Sequence, residues 1–166
     1  HSFLQKNRIP LESVMAKAWN KKIFKDIDAK VNQASKDLAE ERGACPDAAE
    51  YGYQERFSNK TAIAPTASIS IICGGASPGV EPIAANSYTH KTLSGSFNVR
   101  NRYLEEILDS HGKNDDETWS SITTNQGSVS HLDFLTDLEK DVFKTAFELN
   151  QKWIIELSGD RTPFIS

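Results

Sequence analysis

The stretch TAIAPTASISIICGGASPGVEP, Thr61 to Pro82, decides how the chain is read. Ala62, Ile63 and Ala64 are small or apolar and suit a short buried strand, which Pro65 must end because it has no amide hydrogen for a sheet ladder. Thr66, Ala67 and Ser68 then place two short hydroxyl side chains around a minimal one. Ile69, Ile71 and Ile72 resume apolar character up to Gly74, Gly75, Pro78 and Gly79. The sequence therefore predicts a loop held between two buried segments. Small residues let backbone amides approach a ligand closely, hydroxyls add donors, and a following helical turn aims its free amides and partial positive charge at an anion. A phosphate fits such a loop. A plain strand and turn fits the same residues, since PTAS lacks the specificity of a Walker motif.

Working outward toward the N-terminus, Gly43 to Asn59 has no sustained period and reads as a loop, with Tyr51, Tyr53 and Phe57 expected to pin it to the fold. Before it, Leu11, Val14, Met15, Ala18 and Trp19 form an apolar stripe that starts a helix at Pro10. Asn20 and two lysines mark a pause. Ile23, Ile27, Val31, Ala34 and Leu38 then carry the stripe to Gly43, a natural left-handed cap. His1 to Ile9 is a short lead-in.

Toward the C-terminus, Ser87 to Thr92 and Phe97 to Val99, joined through LSGS, read as a hairpin whose Lys91 and Arg100 could attract anions but are expected as solvated charges. Asn101 can cap a helix carrying Leu104, Ile107 and Leu108, stopped by Gly112. Asp115 to Thr124 predicts a second short helix around Trp119 and Ile122. Thr136 and Glu139 have the spacing of a capping box, and Leu138, Val142, Ala146, Leu149, Trp153 and Leu157 predict one long helix ending at Gly159. Thr162 to Ser166 is a short strand candidate, and a long helix leading into a buried strand is what an α/β barrel repeats.

The 166 residues are 38% hydrophobic and 25% charged, the composition of an ordinary globular chain with room for a core. A net charge of −4 and a sequence pI near 5.6 argue against a nucleic-acid surface, while leaving a single nucleotide possible. The longest apolar run, Ile69 to Cys73, is far too short to span a bilayer, so no membrane partner is expected and the location is cytoplasmic. Cys45 and Cys73 sit in no metal or redox spacing and are expected to be buried, inert thiols. His1, His90, His111 and His131 are scattered as well, so no metal site is expected. The chain starts without methionine and ends directly after a strand-like run, which reads as a piece of something longer.

Taken together, AIAPTASISIICGGASPGVEP, RGACPDAA (Arg42–Ala49) and SYTHKTLSGSFNVRN (Ser87–Asn101) closely resemble the large subunit of class I ribonucleoside-diphosphate reductase. The resemblance continues through GSVSHLD (Gly127–Asp133) and FKTAFELNQKWIIELSGDRTPFIS (Phe143–Ser166). It implies an α/β fold, a helix-rich part of the family's ten-stranded α/β barrel, with residues 1–166 as a single segment of the catalytic barrel domain, incomplete at both ends. In that family the loop corresponding to Pro65 through Ile69 binds the phosphates of the substrate, which assigns Thr66, Ala67, Ser68 and Ile69 as the phosphate-binding residues here. A hydroxyl residue is common where this chain has Ile69, so only the backbone amide can serve at that position.

The resemblance also implies reduction of ribonucleoside diphosphates to deoxyribonucleotides for DNA replication. In the family a cysteine thiyl radical abstracts the 3′ hydrogen, paired cysteines deliver two electrons, and thioredoxin or glutaredoxin restores them. The implied partners are the rest of the large subunit as a homodimer and a radical-generating small subunit that holds the metal, with ATP and deoxynucleotides as allosteric effectors. None of the family's radical or redox residues falls within these motifs. No catalytic residue is therefore assigned, no cofactor is expected on this segment, and the chain alone is expected to be inactive. Two other readings remain. A cobalamin-dependent reductase would carry a similar loop, usually with Gly-Thr where this chain has Ala67-Ser68, although SGSFNVRN and DRTPFIS favour class I. A non-catalytic helical interaction module, left by gene splitting or truncation, is the other.

Overall fold

The computed structural model describes residues 1–93 and 95–165. The chain divides into two compact units, one formed by His1–Ala16 with Ala64–Trp153 and the other by Lys17–Ile63 with Ile154–Ser166. In chain order the elements are α1 (Ser2–Lys6), α2 (Val14–Arg42), α3 (Pro46–Glu50), α4 (Ala67–Ile72), β1 (Ser87–Thr92) and β2 (Gly95–Arg100). They are followed by α5 (Arg102–Ser110), α6 (Asp116–Thr124), α7 (Asp137–Val142), α8 (Gln151–Arg161) and a 3-10 turn at Thr162–Phe164. The expected hairpin is present: β1 and β2 pair antiparallel from Ser87 opposite Arg100 to Thr92 opposite Gly95. It is the sheet among the described residues, so this part of the α/β fold is helix-rich.

The core of the first unit is built by the elements after the hairpin. Asn101 caps α5 by accepting the Tyr103 amide at 3.1 Å, and Asp115 caps α6 by accepting the Thr118 amide at 2.7 Å. Those caps set the helix phase that points Leu104, Ile107 and Leu108 of α5 and Trp119 and Ile122 of α6 inward. Tyr103, Val129, Leu132, Leu135, Val142 and Phe143 complete the cluster. Burial of each large side chain stabilises the fold by about 1.5 to 3 kcal/mol. Trp119 keeps its polar edge satisfied, donating Nε1–H to Asn114 Oδ1 at 2.7 Å, and the Arg100 guanidinium lies over its ring at 5.1 Å while pairing with Asp116 at 2.8 Å. Gly127, at φ +80°, brings its backbone against residue 85: a Cβ here would lie 2.3 Å from the Cβ of Ala85.

The second unit is organised on α2. Ser35 Oγ accepts the amides of Arg56 and Phe57 at 3.1 and 3.2 Å, which folds the segment after α3 back along the helix. Asn20 Nδ2 donates to the Leu157 carbonyl at 2.8 Å, and Lys17 and Lys21 meet Asp160 at 3.6 and 3.1 Å.

Several expectations are corrected. Ala62–Ala64 carry no regular structure, because a strand needs a neighbour and the two strands described pair with each other. The helix expected at Pro10 starts at Val14: Ser13 Oγ donates to the Pro10 carbonyl at 2.6 Å and accepts the Ala16 amide at 3.1 Å, making Ser13 the cap. It then runs through Asn20 without a pause, and Val14, Met15 and Ile27 on its supposed buried stripe are exposed. Tyr51, Tyr53 and Phe57 are exposed instead of pinned, and Pro46 starts a short helix inside the expected loop.

The long helix is two. The capping box forms as expected, but α7 stops at Val142. Asn86 Nδ2 donates to the Phe143 carbonyl at 2.7 Å and the Ala146 amide donates to the Ile83 carbonyl at 2.8 Å, so tertiary partners take groups that a continuing helix would pair. Asn150 then starts α8 by accepting the Lys152 amide at 3.0 Å. Leu138 is exposed and Trp153 half-buried, while Val142, Leu149 and Leu157 are buried as expected. At the C-terminus the strand candidate is a 3-10 turn with Pro163 in its first positions, and Ser166 lies outside the described residues.

Candidate functional site

α4 begins where the sequence puts its hydroxyl loop. Thr66 is the N-cap residue, and the helical bonding starts with the Ser70 amide donating to the Thr66 carbonyl at 2.8 Å. The amides of Ala67, Ser68 and Ile69 precede that first bond and have no carbonyl one turn back to pair with. All three residues are exposed. Ser68 adds an exposed hydroxyl that can donate or accept.

Thr66 plays a different part. Its hydroxyl donates to the Pro78 carbonyl, which also accepts the Thr66 amide at 3.0 Å. The side chain therefore anchors the loop, and its proton is not offered to a ligand. The return is made by Gly74 and Gly75, whose φ values of +81° and +75° lie in the left-handed region. Gly75 donates its amide to the Ser70 carbonyl at 2.9 Å, and the Ser70 hydroxyl donates to the Ala67 carbonyl at 2.7 Å. A short helical turn with an open N-terminal edge is thus fastened at both ends. The expected second buried segment is not buried: Ile69, Ile71 and Ile72 are exposed, the last at 84%.

Beside α4 lies a cavity of about 540 Å³. Ala67 lines it from the loop, His90 and Arg100 from the hairpin, and Glu81 from the segment between them. Its remaining wall includes Gln5, Asn86 and Asn101, three carboxamides in one network. Asn86 Nδ2 donates to the carbonyls of Gly127 (3.0 Å) and Phe143 (2.7 Å), and its Oδ1 accepts from Asn101 Nδ2 at 2.8 Å. Asn101 Nδ2 also donates to Gln5 Oε1 at 3.0 Å. Asn86 and Gln5 are each 1% exposed. Gln5 Nε2 is a buried donor with no hydrogen-bond partner.

Of the four expected phosphate-binding residues, Ala67, Ser68 and Ile69 are exposed at the start of α4 and Thr66 is half-buried, and among them Ala67 is the one that borders the cavity. Gln5 and Asn86 were not anticipated as site residues. Asn101 was legible only as a helix cap, and nothing in the spacing of Gln5 or Asn86 marks a buried amide network. Of the thiols expected to be buried, Cys73 is exposed at the end of α4 and Cys45 is half-buried at the start of α3. Three histidines are hydrogen-bonded: Ile83 N–H donates to His1 Nδ1 at 3.0 Å, His111 Nε2 lies 3.1 Å from Glu139, and His131 Nε2 lies 2.7 Å from Ser121 Oγ. Among the described residues no group of three or more His, Cys, Asp or Glu is placed to hold a metal, and no helix is long and apolar enough to cross a membrane.

Comparison with known proteins extends the resemblance. The family model for the ribonucleotide reductase barrel domain matches residues 47–166. The chain is 46% identical to the ribonucleoside-diphosphate reductase large subunit of Invertebrate iridescent virus 6, over 99% of this chain and 17% of the relative. It is 44% identical to the large subunit of Invertebrate iridescent virus 3, over 99% of this chain and 26% of the relative. Among solved structures, the Actinobacillus ureae class Id ribonucleotide reductase alpha subunit superposes with a TM-score of 0.90 at 39% identity, covering 99% of this chain and 29% of that one. The chain therefore spans less than a third of the length of these relatives. With the family model matching most of its residues and the fold superposing over nearly all of them, this chain belongs to the ribonucleotide reductase family, within its barrel domain.

Proposed function

We propose that this chain is a segment of a class I ribonucleoside-diphosphate reductase large subunit and that it seats the diphosphate of the substrate on Thr66–Ile69. The observation that carries the reading is the exposed start of α4, where the amides of Ala67, Ser68 and Ile69 precede the first helical bond beside a cavity. Three amides on a helix edge, with the partial positive charge of the turn behind them, suit an anion. Thr66 shapes this seat through its anchor to Pro78. The relatives that are named as ribonucleoside-diphosphate reductase large subunits favour this reading over the cobalamin-dependent one.

On this reading residues 1–166 are one segment of the catalytic barrel domain, working in the cytoplasm as part of a larger subunit. The radical, the electron-delivering thiols and the effector sites lie on other parts of the assembly: the remainder of a homodimeric large subunit, a metal-radical small subunit, and thioredoxin or glutaredoxin. Cys45 and Cys73 take no part in the chemistry, and the segment alone does not turn over substrate.

The test is Ala67→Asp in a complete large subunit carrying this segment. A carboxylate on the exposed first residue of α4 faces the diphosphate and crowds the neighbouring amides, at a cost of about 2 to 4 kcal/mol in binding. Isothermal titration with cytidine diphosphate reads that loss directly. Unchanged affinity removes the loop from the site and favours the interaction-module reading.

A further inference from the structure

Gln5 sits on α1, a stretch that the sequence left as a lead-in, and its side chain is 1% exposed. Its two polar atoms differ in state. Oε1 accepts from Asn101 Nδ2 at 3.0 Å, which fixes the orientation of the amide, whereas Nε2 has no partner. A buried donor left unpaired is costly, and native structures leave few of them without a reason. Gln5 lines the same cavity of about 540 Å³ that Ala67 borders from the phosphate loop. Cavities of this size suit ligands of nucleotide dimensions.

The wall groups select what the amide would meet. Asn86 has its donor spent on two carbonyls and its acceptor on Asn101, so it offers a ligand nothing from Nδ2 or Oδ1. Both Asn101 atoms are likewise engaged, with Tyr103 N–H on one side and Gln5 and Asn86 on the other. Of the three carboxamides, Gln5 alone has a donor to give. His90 and Arg100 add cationic or cationisable groups, and the Glu81 carboxylate and the Tyr88 phenol also border the space. Arg100 is held by Asp116 at 2.8 Å. A neutral amide donor on a residue of the cavity wall that Ala67 also lines matches a phosphoryl oxygen better than it matches a cation or another donor.

We propose that Gln5 is a substrate-contacting residue, its Nε2 donating to a phosphoryl oxygen of the diphosphate seated on Thr66–Ile69. The proposal rests on the phosphate seat argued above and adds a contact from a distant part of the sequence. It also gives the network a role: Asn86 and Asn101, held to backbone on the hairpin flanks, position the Gln5 amide through its Oε1.

The test uses the complete large subunit and two probes, cytidine diphosphate and inorganic pyrophosphate. Gln5→Glu keeps an oxygen for Asn101 and replaces only the unpaired donor, while Gln5→Met removes the donor without adding charge. Losing one hydrogen bond to a charged group corresponds to a roughly 10- to 100-fold loss of affinity, expected for both probes and in both variants. Because Gln5→Glu buries a carboxylate and lowers stability, the thermal midpoint of the uncharged Gln5→Met should stay nearer that of the parent. Unchanged affinity in either folded variant overturns the proposal. A loss for cytidine diphosphate with none for pyrophosphate also overturns it, because the amide would then face the nucleoside. If Ala67→Asp weakens binding and the Gln5 variants do not, Gln5 is excluded and the loop stands; if Ala67→Asp has no effect, the loop itself is excluded.

Discussion

Replacing Asn86 tests whether the buried amide network holds this part of the barrel together. The side chain makes three hydrogen bonds, two to the carbonyls of Gly127 and Phe143 and one from Asn101. In Asn86→Ala the Gly127 carbonyl keeps the backbone amide of residue 86 at 3.1 Å, and Asn101 Nδ2 keeps Gln5. The Phe143 carbonyl loses its donor. At about 1 kcal/mol per bond, with about 1 more for the orphaned carbonyl, the loss is about 3 to 4 kcal/mol. Hydrogen exchange on a complete subunit reads it as a fall in protection of roughly a hundredfold or more across residues 101–124, since 1.4 kcal/mol is about tenfold. A second substitution separates the network from simple packing. Asn86→Asp is nearly isosteric and still accepts from Asn101, but it turns a carboxylate oxygen toward two carbonyls. Its cost at neutral pH should match or exceed that of Asn86→Ala. Because those carbonyls raise the carboxyl's pKa in the folded state, the penalty is present at high pH and relieved as pH falls through that raised value. A fall in protection of less than about fivefold in Asn86→Ala, equivalent to about 1 kcal/mol, would refute this accounting.

Gly127→Ala should destabilise by about 2 to 4 kcal/mol, combining a left-handed backbone with a Cβ that meets Ala85 at 2.3 Å, whereas Gly112→Ala, at φ +64° with nothing within 4 Å, should cost only the conformational share of about 1 kcal/mol; equal losses in the two would show that the close approach does not matter. Burial alone would raise the Glu139 carboxyl, but the Thr136 amide and hydroxyl and then His111 outweigh it and leave its pKa below the ordinary glutamate value. Its contribution to the start of α7 is therefore present above the unfolded pKa and lost as pH falls through the folded one, and Thr136→Ala should cost about 1 kcal/mol at neutral pH. Urea denaturation of parent and Thr136→Ala at neutral and acidic pH checks both, with an equal gap at the two pH values counting against the linkage.

Local signals were legible where a residue's partner lies within a few positions. Asn101, Asp115 and Thr136 each cap the helix that their spacing announces, and the hairpin is in place. The failures share one cause, which is that the deciding partner is remote. Val142 to Leu157 has an unbroken apolar period, yet Asn86 and Ile83 take the backbone groups around Phe143 and Ala146. Ala62–Ala64 has strand composition and no described neighbour to pair with. The candidate site was half legible. The run Pro65 to Ile69 declares a small, hydroxyl-bearing turn, whereas the spending of the Thr66 hydroxyl on Pro78 and the unpaired amide of Gln5 depend on contacts from far along the chain.

The most direct measurement of the central claim is a crystal structure of a complete large subunit containing this segment, grown with cytidine diphosphate. The account predicts phosphoryl oxygens at hydrogen-bond distance, about 2.7 to 3.2 Å, from the amides of Ala67, Ser68 and Ile69. The Thr66 hydroxyl should still be turned to the Pro78 carbonyl. Nucleotide bound with its phosphates away from these three amides, in a fold that otherwise retains α4 and the hairpin, would contradict it.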